Sequence, residues 1–137
     1  KEACADWPKP IWTVDISDET HPREITQFPY PAGLEEFCKE GRFGAHNIHM
    51  NRPKKTAARL AQTVVASFQN AGVRVYSIAD PKKPVEIGAL VPTAPSGKMK
   101  DITINDVYVD EKGLIYAADR TGGGLYIIEY TGQTPLR

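Results

Sequence analysis

Along most of the chain apolar and polar residues alternate with a period of two, in short runs closed off by Gly, Pro, Asn or Asp. Runs such as Ile11-Trp12-Thr13-Val14-Asp15, Val73-Arg74-Val75-Tyr76-Ser77 and Leu114-Ile115-Tyr116-Ala117-Ala118 are rich in β-branched and aromatic residues. Such side chains fit a pleated, half-buried surface, so the pattern predicts strands. The spacing places them over residues 11–17, 23–29, 44–51, 62–69, 72–79, 85–91, 103–110, 114–119 and 124–130. Helical periodicity is weak, and only 33–39 and 54–62 offer room for a helical turn or two within loops.

The strand pattern repeats within the chain. Ile11 to Asp18, followed by Pro22-Arg23-Glu24-Ile25, aligns without gaps onto Val73 to Asp80, followed by Pro84-Val85-Glu86-Ile87. Leu125 to Tyr130, preceded by Gly122-Gly123-Gly124, repeats the first half of that unit. A second element alternates with it: His46-Asn47-Ile48-His49-Met50-Asn51 lies over Asn105-Asp106-Val107-Tyr108-Val109-Asp110, and each is followed by another strand-like run. The order is two strands, then four, then three. Four-stranded antiparallel units recurring every ~40 to 60 residues are the mark of a β-propeller, whose ring needs typically 4 to 8 blades.

The expected architecture is therefore all-β, with one complete and two partial four-stranded antiparallel blades, at about 11–30, 44–92 and 103–132, belonging to a seven-bladed ring. The first block lacks its two inner strands and the last its outermost one. Together with an N-terminus that has no initiator Met, this predicts that the remaining blades come from the rest of a nicked chain or from additional subunits.

The stretch Val73-Arg74-Val75-Tyr76-Ser77-Ile78-Ala79-Asp80-Pro81-Lys82-Lys83-Pro84-Val85-Glu86-Ile87-Gly88 resembles the LVIVD repeat, in which an apolar strand ends in an Asp-Pro turn before a second strand. Ile11 to Phe28 carries the same likeness. Residues 42–53, together with 105–110 and 113–120, resemble a subgroup of bacterial LVIVD-repeat proteins. The resemblance spans most of residues 11–132 and implies a β-propeller, often in exported bacterial proteins, with a natural C-terminus near Tyr130-Thr131-Gly132. The chain departs from it at Ala45, where Pro is expected, and at Met50, where an acidic residue is expected. A repeat of this kind is a fold signature and does not specify a reaction.

Composition narrows the partners. The 137 residues are 41% hydrophobic and 25% charged, as in an ordinary globular domain. Seventeen basic and seventeen acidic residues cancel, leaving no net field to draw the chain to nucleic acid or an anionic membrane. No apolar run approaches the ~20 residues of a membrane span. The two cysteines, Cys4 and Cys38, match one disulfide or two thiols, and neither has the CxxC or Cys/His company of a zinc or redox site. A bridge would indicate an oxidising compartment, and the expected location is periplasmic or extracellular.

Propeller geometry brings strand starts and returning turns to one face. His46, Asn47, Asn105 and Asp106 are thus expected to meet Gln69, Asn70, Asp119 and Arg120, a convergence of polar groups that suits a ligand site. His46 and His49 are three apart and point to opposite faces of a strand, so they cannot clamp one metal together. A divalent metal would need His46 plus ligands from other blades. His46 suits acid–base work near neutral pH, with Asp106 or Asp119 as partner. The competing roles are structural: a satisfied histidine, Asx residues holding turn amides, and Arg120 pairing with a neighbouring acid. Gly122 to Gly124 is no phosphate loop, since neither GK[ST] nor a helix follows. Ser67 and Ser77 lack the context of a nucleophile elbow. Trp12, Tyr76, Tyr108, Tyr116 and Tyr126 are expected to pack between sheets.

Function is expected at the polar central face, which would bind a small molecule or a protein partner. The alternative is an enzyme, a lyase, isomerase or hydrolase, using His46 and Asp106 with or without a metal.

Overall fold

Among the described residues, eight strands form where the alternation is clearest, and a single helix forms where it breaks. The computed structural model of the chain describes residues 9–94 and 102–136. Within them lie β1 (Trp12–Asp15), β2 (Arg23–Gln27), α1 (Leu34–Glu40), β3 (Thr63–Ser67), β4 (Val73–Ser77), β5 (Val85–Leu90), β6 (Ile104–Val109), β7 (Leu114–Asp119) and β8 (Gly124–Glu129). They make three small antiparallel sheets, ordered β1-β2, β3-β4-β5 and β6-β7-β8. The fold is all-β, as the alternation predicts.

The expected strand over 44–51 is not continuous. It runs beside β3 through isolated bridges at Phe43–Gln69 and Ile48–Ala66. The reason lies in its hydrogen bonds: the His46 N–H donates to the Ser67 carbonyl, while the Ser67 N–H donates to the Asn47 carbonyl. Two residues thus oppose one, which is a β-bulge and ends a regular ladder. Loop 54–62 holds no helix among the described residues, only a turn and an Ala57–Asp110 bridge.

The middle sheet is covered on both faces, and β4 shows how. Its alternate residues Val73 and Val75 enter an aliphatic cluster with Val65, Val107, Ile115 and Ala117. This cluster fills the space between β3-β4-β5 and β6-β7-β8. Tyr76 points the other way, into a cluster with Phe28, Phe43, Ala66 and Phe68, against which Phe37 and Cys38 of α1 pack. Tyr76 meets the Phe28 ring edge-on at 5.2 Å. The first hairpin reaches this cluster through residues at its ends, Ile11 and Phe28. Burying one large apolar side chain in such clusters contributes about 1.5–3 kcal/mol.

One buried charge sits in the aromatic cluster. Arg74 donates from Nε to the Ala71 carbonyl, reaches Glu86 Oε1 at 3.4 Å and lies over the Phe37 ring at 5.5 Å. The buried Tyr76 hydroxyl and the Glu86 carboxylate interact, though no hydrogen bond of good geometry reaches the hydroxyl or Glu86 Oε2. Burial, and then the negative charge of Glu86, push the Tyr76 phenol well above its ordinary value. Turn 68–72 joins β3 to β4 and requires glycine at 72, where φ is +77° and a Cβ would strike the Leu90 carbonyl.

Candidate functional site

The bulge at His46-Asn47 and a second one on β6 face each other. β6 and β7 pair Ile104 with Asp119 and then Asp106 with Ala118, so Asn105 is the extra residue on its strand. The two irregularities fall at matching positions of the internal repeat, His46 over Asn105. Their meeting point is one atom, the Asn105 carbonyl oxygen. It accepts from His46 Nδ1 at 2.7 Å and from the Ser67 hydroxyl at 3.1 Å.

This contact fixes the imidazole's tautomer. A carbonyl cannot donate, so Nδ1 carries the proton, and the neutral ring presents a lone pair at Nε2. His46 is exposed, and it lines a cavity of about 380 Å³ together with Pro10, Ala45, Asn47, Ile48 and Asp106. Asp106 Oδ1 accepts the N–H of Val107 at 2.8 Å. Arg120 Nη1 reaches Asn105 Oδ1 at 3.4 Å. His46, Asn105, Asp106 and Arg120 are therefore grouped as the strand order suggests.

Of the other expected residues, Asn47 lines the same cavity, while Gln69, Asn70 and Asp119 are buried. Asn70 is buried and donates from Nδ2 to the carbonyl of Phe37, holding α1 against the hairpin. Asp119 is buried, and its Oδ1 accepts from the N–H groups of Thr121 and Thr103 and from the Thr121 hydroxyl, the turn-holding role open to an Asx residue. Its Oδ2 has no hydrogen-bond partner and lies beside Gly123, where a Cβ would come within 2.5 Å of it. Gln69 is buried too, and its Oε1 lacks a partner.

His49 answers differently from His46. It is buried, its Nε2 donates to the Ala58 carbonyl at 2.9 Å, and its Nδ1 accepts the Val109 N–H at 3.1 Å. With both nitrogens engaged it pins loop 54–62 to β6. Ser67 was the residue least marked by sequence pattern: its side chain is buried, accepts the Asn47 N–H at 3.0 Å, and shares its proton between the Asn47 and Asn105 carbonyls. The only hint was a hydroxyl inside the apolar run from Val64 to Phe68.

Among the described residues, no three His, Cys, Asp or Glu side chains gather closely enough to hold a metal. An ion at His46 would need ligands from outside them. Tyr76 packs between sheets, while Tyr108 and Tyr116 lie 6.2 Å apart beside a second cavity of about 380 Å³ that shares Ile48, Met50 and Asp106 with the first. Trp12 is exposed. Cys38 is disulfide-bonded, and Cys4 lies outside the described residues.

Fold and site together define an all-β protein of three small antiparallel sheets with an imidazole held in one tautomer at the join of two of them. No protein-family model matches the chain, and searches of curated proteins and of solved structures return no match. No helix among the described residues is long and apolar enough to cross a membrane.

Proposed function

We propose that the chain is a segment of a β-propeller of the LVIVD-repeat kind whose polar face at His46 binds a small molecule. Three features support the blade reading: successive antiparallel sheets of two, three and three strands with segment 44–51 bridged to the edge of the middle one, bulges at equivalent repeat positions, and a central strand β4 buried on both faces. The observation that carries the ligand reading is the 2.7 Å bond from His46 Nδ1 to the Asn105 carbonyl. It commits a solvent-facing histidine to presenting Nε2 as an acceptor into a cavity that Asp106 also lines. Such a pair suits a ligand offering hydroxyl or ammonium donors. The Cys38 disulfide supports an oxidising compartment, periplasmic or extracellular.

The test is an NMR titration of the labelled protein with monosaccharides and small diamines. Shifts at the His46, Asn47 and Asp106 signals are expected, and they should disappear in His46→Ala. A panel that leaves all three signals unmoved overturns the ligand reading.

The same tautomer favours a second role. A histidine that gives Nδ1–H to a carbonyl is also arranged as a metal ligand or general base at Nε2. Titration with Zn²⁺ or Mn²⁺ separates the two readings. Saturable perturbation of His46 that the Ala variant lacks supports a metal-assisted enzyme completed by ligands outside the described residues.

A further inference from the structure

The open edge of β8 is a strand-addition site, and we infer that it takes an extended peptide with the pattern of β5, paired antiparallel. This rests on the blade reading insofar as β8 repeats β4. Both strands follow a hairpin from the strand before them, β4 from β3 and β8 from β7. β4 is paired on its far side by β5, whereas among the described residues nothing pairs with the far side of β8.

The direction of β8's unpaired groups follows from its neighbour. The Arg120 N–H donates to Thr103 and the Leu114 carbonyl accepts from Asp110, so even-numbered backbone groups of β7 face β6 and odd-numbered ones face β8. Ala117 pairs with Tyr126 and Ile115 with Ile128, which turns those β8 residues toward β7. The N–H and C=O groups of Leu125, Ile127 and Glu129 are left at the open edge. Such a row of groups is a template for another strand.

Space for that strand exists. A groove of about 350 Å³ runs between the two sheets, lined by Ile87, Gly88 and Leu90 of β5 and by Ile128, Glu129 and Tyr130 at the end of β8. It reaches the open edge at Glu129. Tyr130 closes one end, its hydroxyl donating to the Ile87 carbonyl at 3.3 Å. The strand that answers this edge has the chemistry β5 shows at β4: a proline entry, alternating apolar residues, and a glycine where sheets approach.

The test uses the labelled chain and a synthetic peptide with the sequence of residues 82–91. Binding should slow amide exchange at Leu125, Ile127 and Glu129 and shift the signals of Ile87 and Leu90. Two further peptides carry N-methyl groups on alternate residues, one set odd and one set even. One of the two should lose about tenfold or more in affinity, because its methyls replace the edge hydrogen bonds, and the other should bind like the parent. Equal binding of both, or no binding of the parent, overturns the site. So does protection of the three amides without peptide, which would mean that the chain's own tail or a second copy already pairs there. The result is independent of the His46 titration: peptide binding with no small-molecule shifts would sink the ligand reading and leave strand addition standing.

Discussion

The two faces of β4 meet very different neighbours. Toward β6-β7-β8 the buried cluster is aliphatic, built from Val73, Val75, Val65 and Ile115. Toward α1 and the first hairpin it is aromatic and encloses Arg74, Glu86 and the Tyr76 hydroxyl. Aliphatic packing fills the first, with hydrogen bonds such as Ile104 N–H to the Gln69 carbonyl at its margin, whereas the second combines ring packing with a charge that must stay paired. The contrast shows how one strand, by alternating its side chains, joins a uniform contact to a specific one.

The largest effects should come from emptying either interface. Phe68→Ala is expected to cost about 3–5 kcal/mol and Ile115→Ala about 2–5 kcal/mol in urea unfolding. If Phe68→Ala instead loses less than a single methyl group's worth, the aromatic side is not a packed core.

Arg74→Leu sharpens the contrast, because it orphans Glu86. A loss of about 2 kcal/mol is expected, below the full cost of a stranded buried charge since Glu86 keeps some contact with water. Adding Glu86→Leu should restore most of it. No recovery in the double variant would mean that the two charges are not coupled.

Ser67→Ala removes the hydroxyl between two carbonyls and should cost about 1–2 kcal/mol. Its more telling readout is nitrogen NMR of His46: the Nδ1–H tautomer should give way to a mixture. An unchanged tautomer would show that the Asn105 carbonyl needs no support from Ser67.

Tyr76→Phe should cost no more than about 1 kcal/mol, because the hydroxyl it removes meets only the Glu86 carboxylate, and without good hydrogen-bond geometry. A marked loss would reveal a bond to that oxygen.

The smallest effect belongs to the turn at Asp110. Burial pushes this carboxyl up, but the Leu114 N–H, the Tyr116 hydroxyl and the Lys112 N–H outweigh it and hold it below its ordinary value. A lowered native pKa contributes stability that is complete above the unfolded value and fades as pH falls through the native one. Acid titration of Asp110→Asn should therefore lack a small part of the loss below the ordinary carboxylate pKa, and a curve identical to the parent's would remove this contribution.

Much of this architecture was legible in the alternation of residues. Period-two runs marked the eight strands among the described residues and a ninth, over 44–51, that forms no regular ladder; α1 occupies one of the two stretches, 33–39, left with room for a helical turn or two. The opposite faces expected for His46 and His49 are not what forms: the bulge at His46-Asn47 shifts the period by one, and both rings reach β6, His46 at Asn105 and His49 at Val109. What a pattern cannot express is where a ladder breaks: the bulges at His46-Asn47 and Asn105 depend on hydrogen bonds between distant segments. The burial of Asn70 and Asp119 escaped for a similar reason, since a polar residue in a turn looks alike whether it faces water or holds a neighbour's amide. Ser67 was overlooked because its task is to position carbonyls, and no local motif announces that.

Gln69 carries a final consequence. It is the only non-glycine residue with positive φ among those described, at 54°, and its carbonyl accepts both the Gly72 N–H inside the turn and the Ile104 N–H that opens β6. A left-handed conformation at such a residue costs of order 1 kcal/mol, and it persists because both acceptances demand it. Loosening the hairpin tip would thus release the first amide of the neighbouring sheet as well, tying the two sheets into one cooperative unfolding unit.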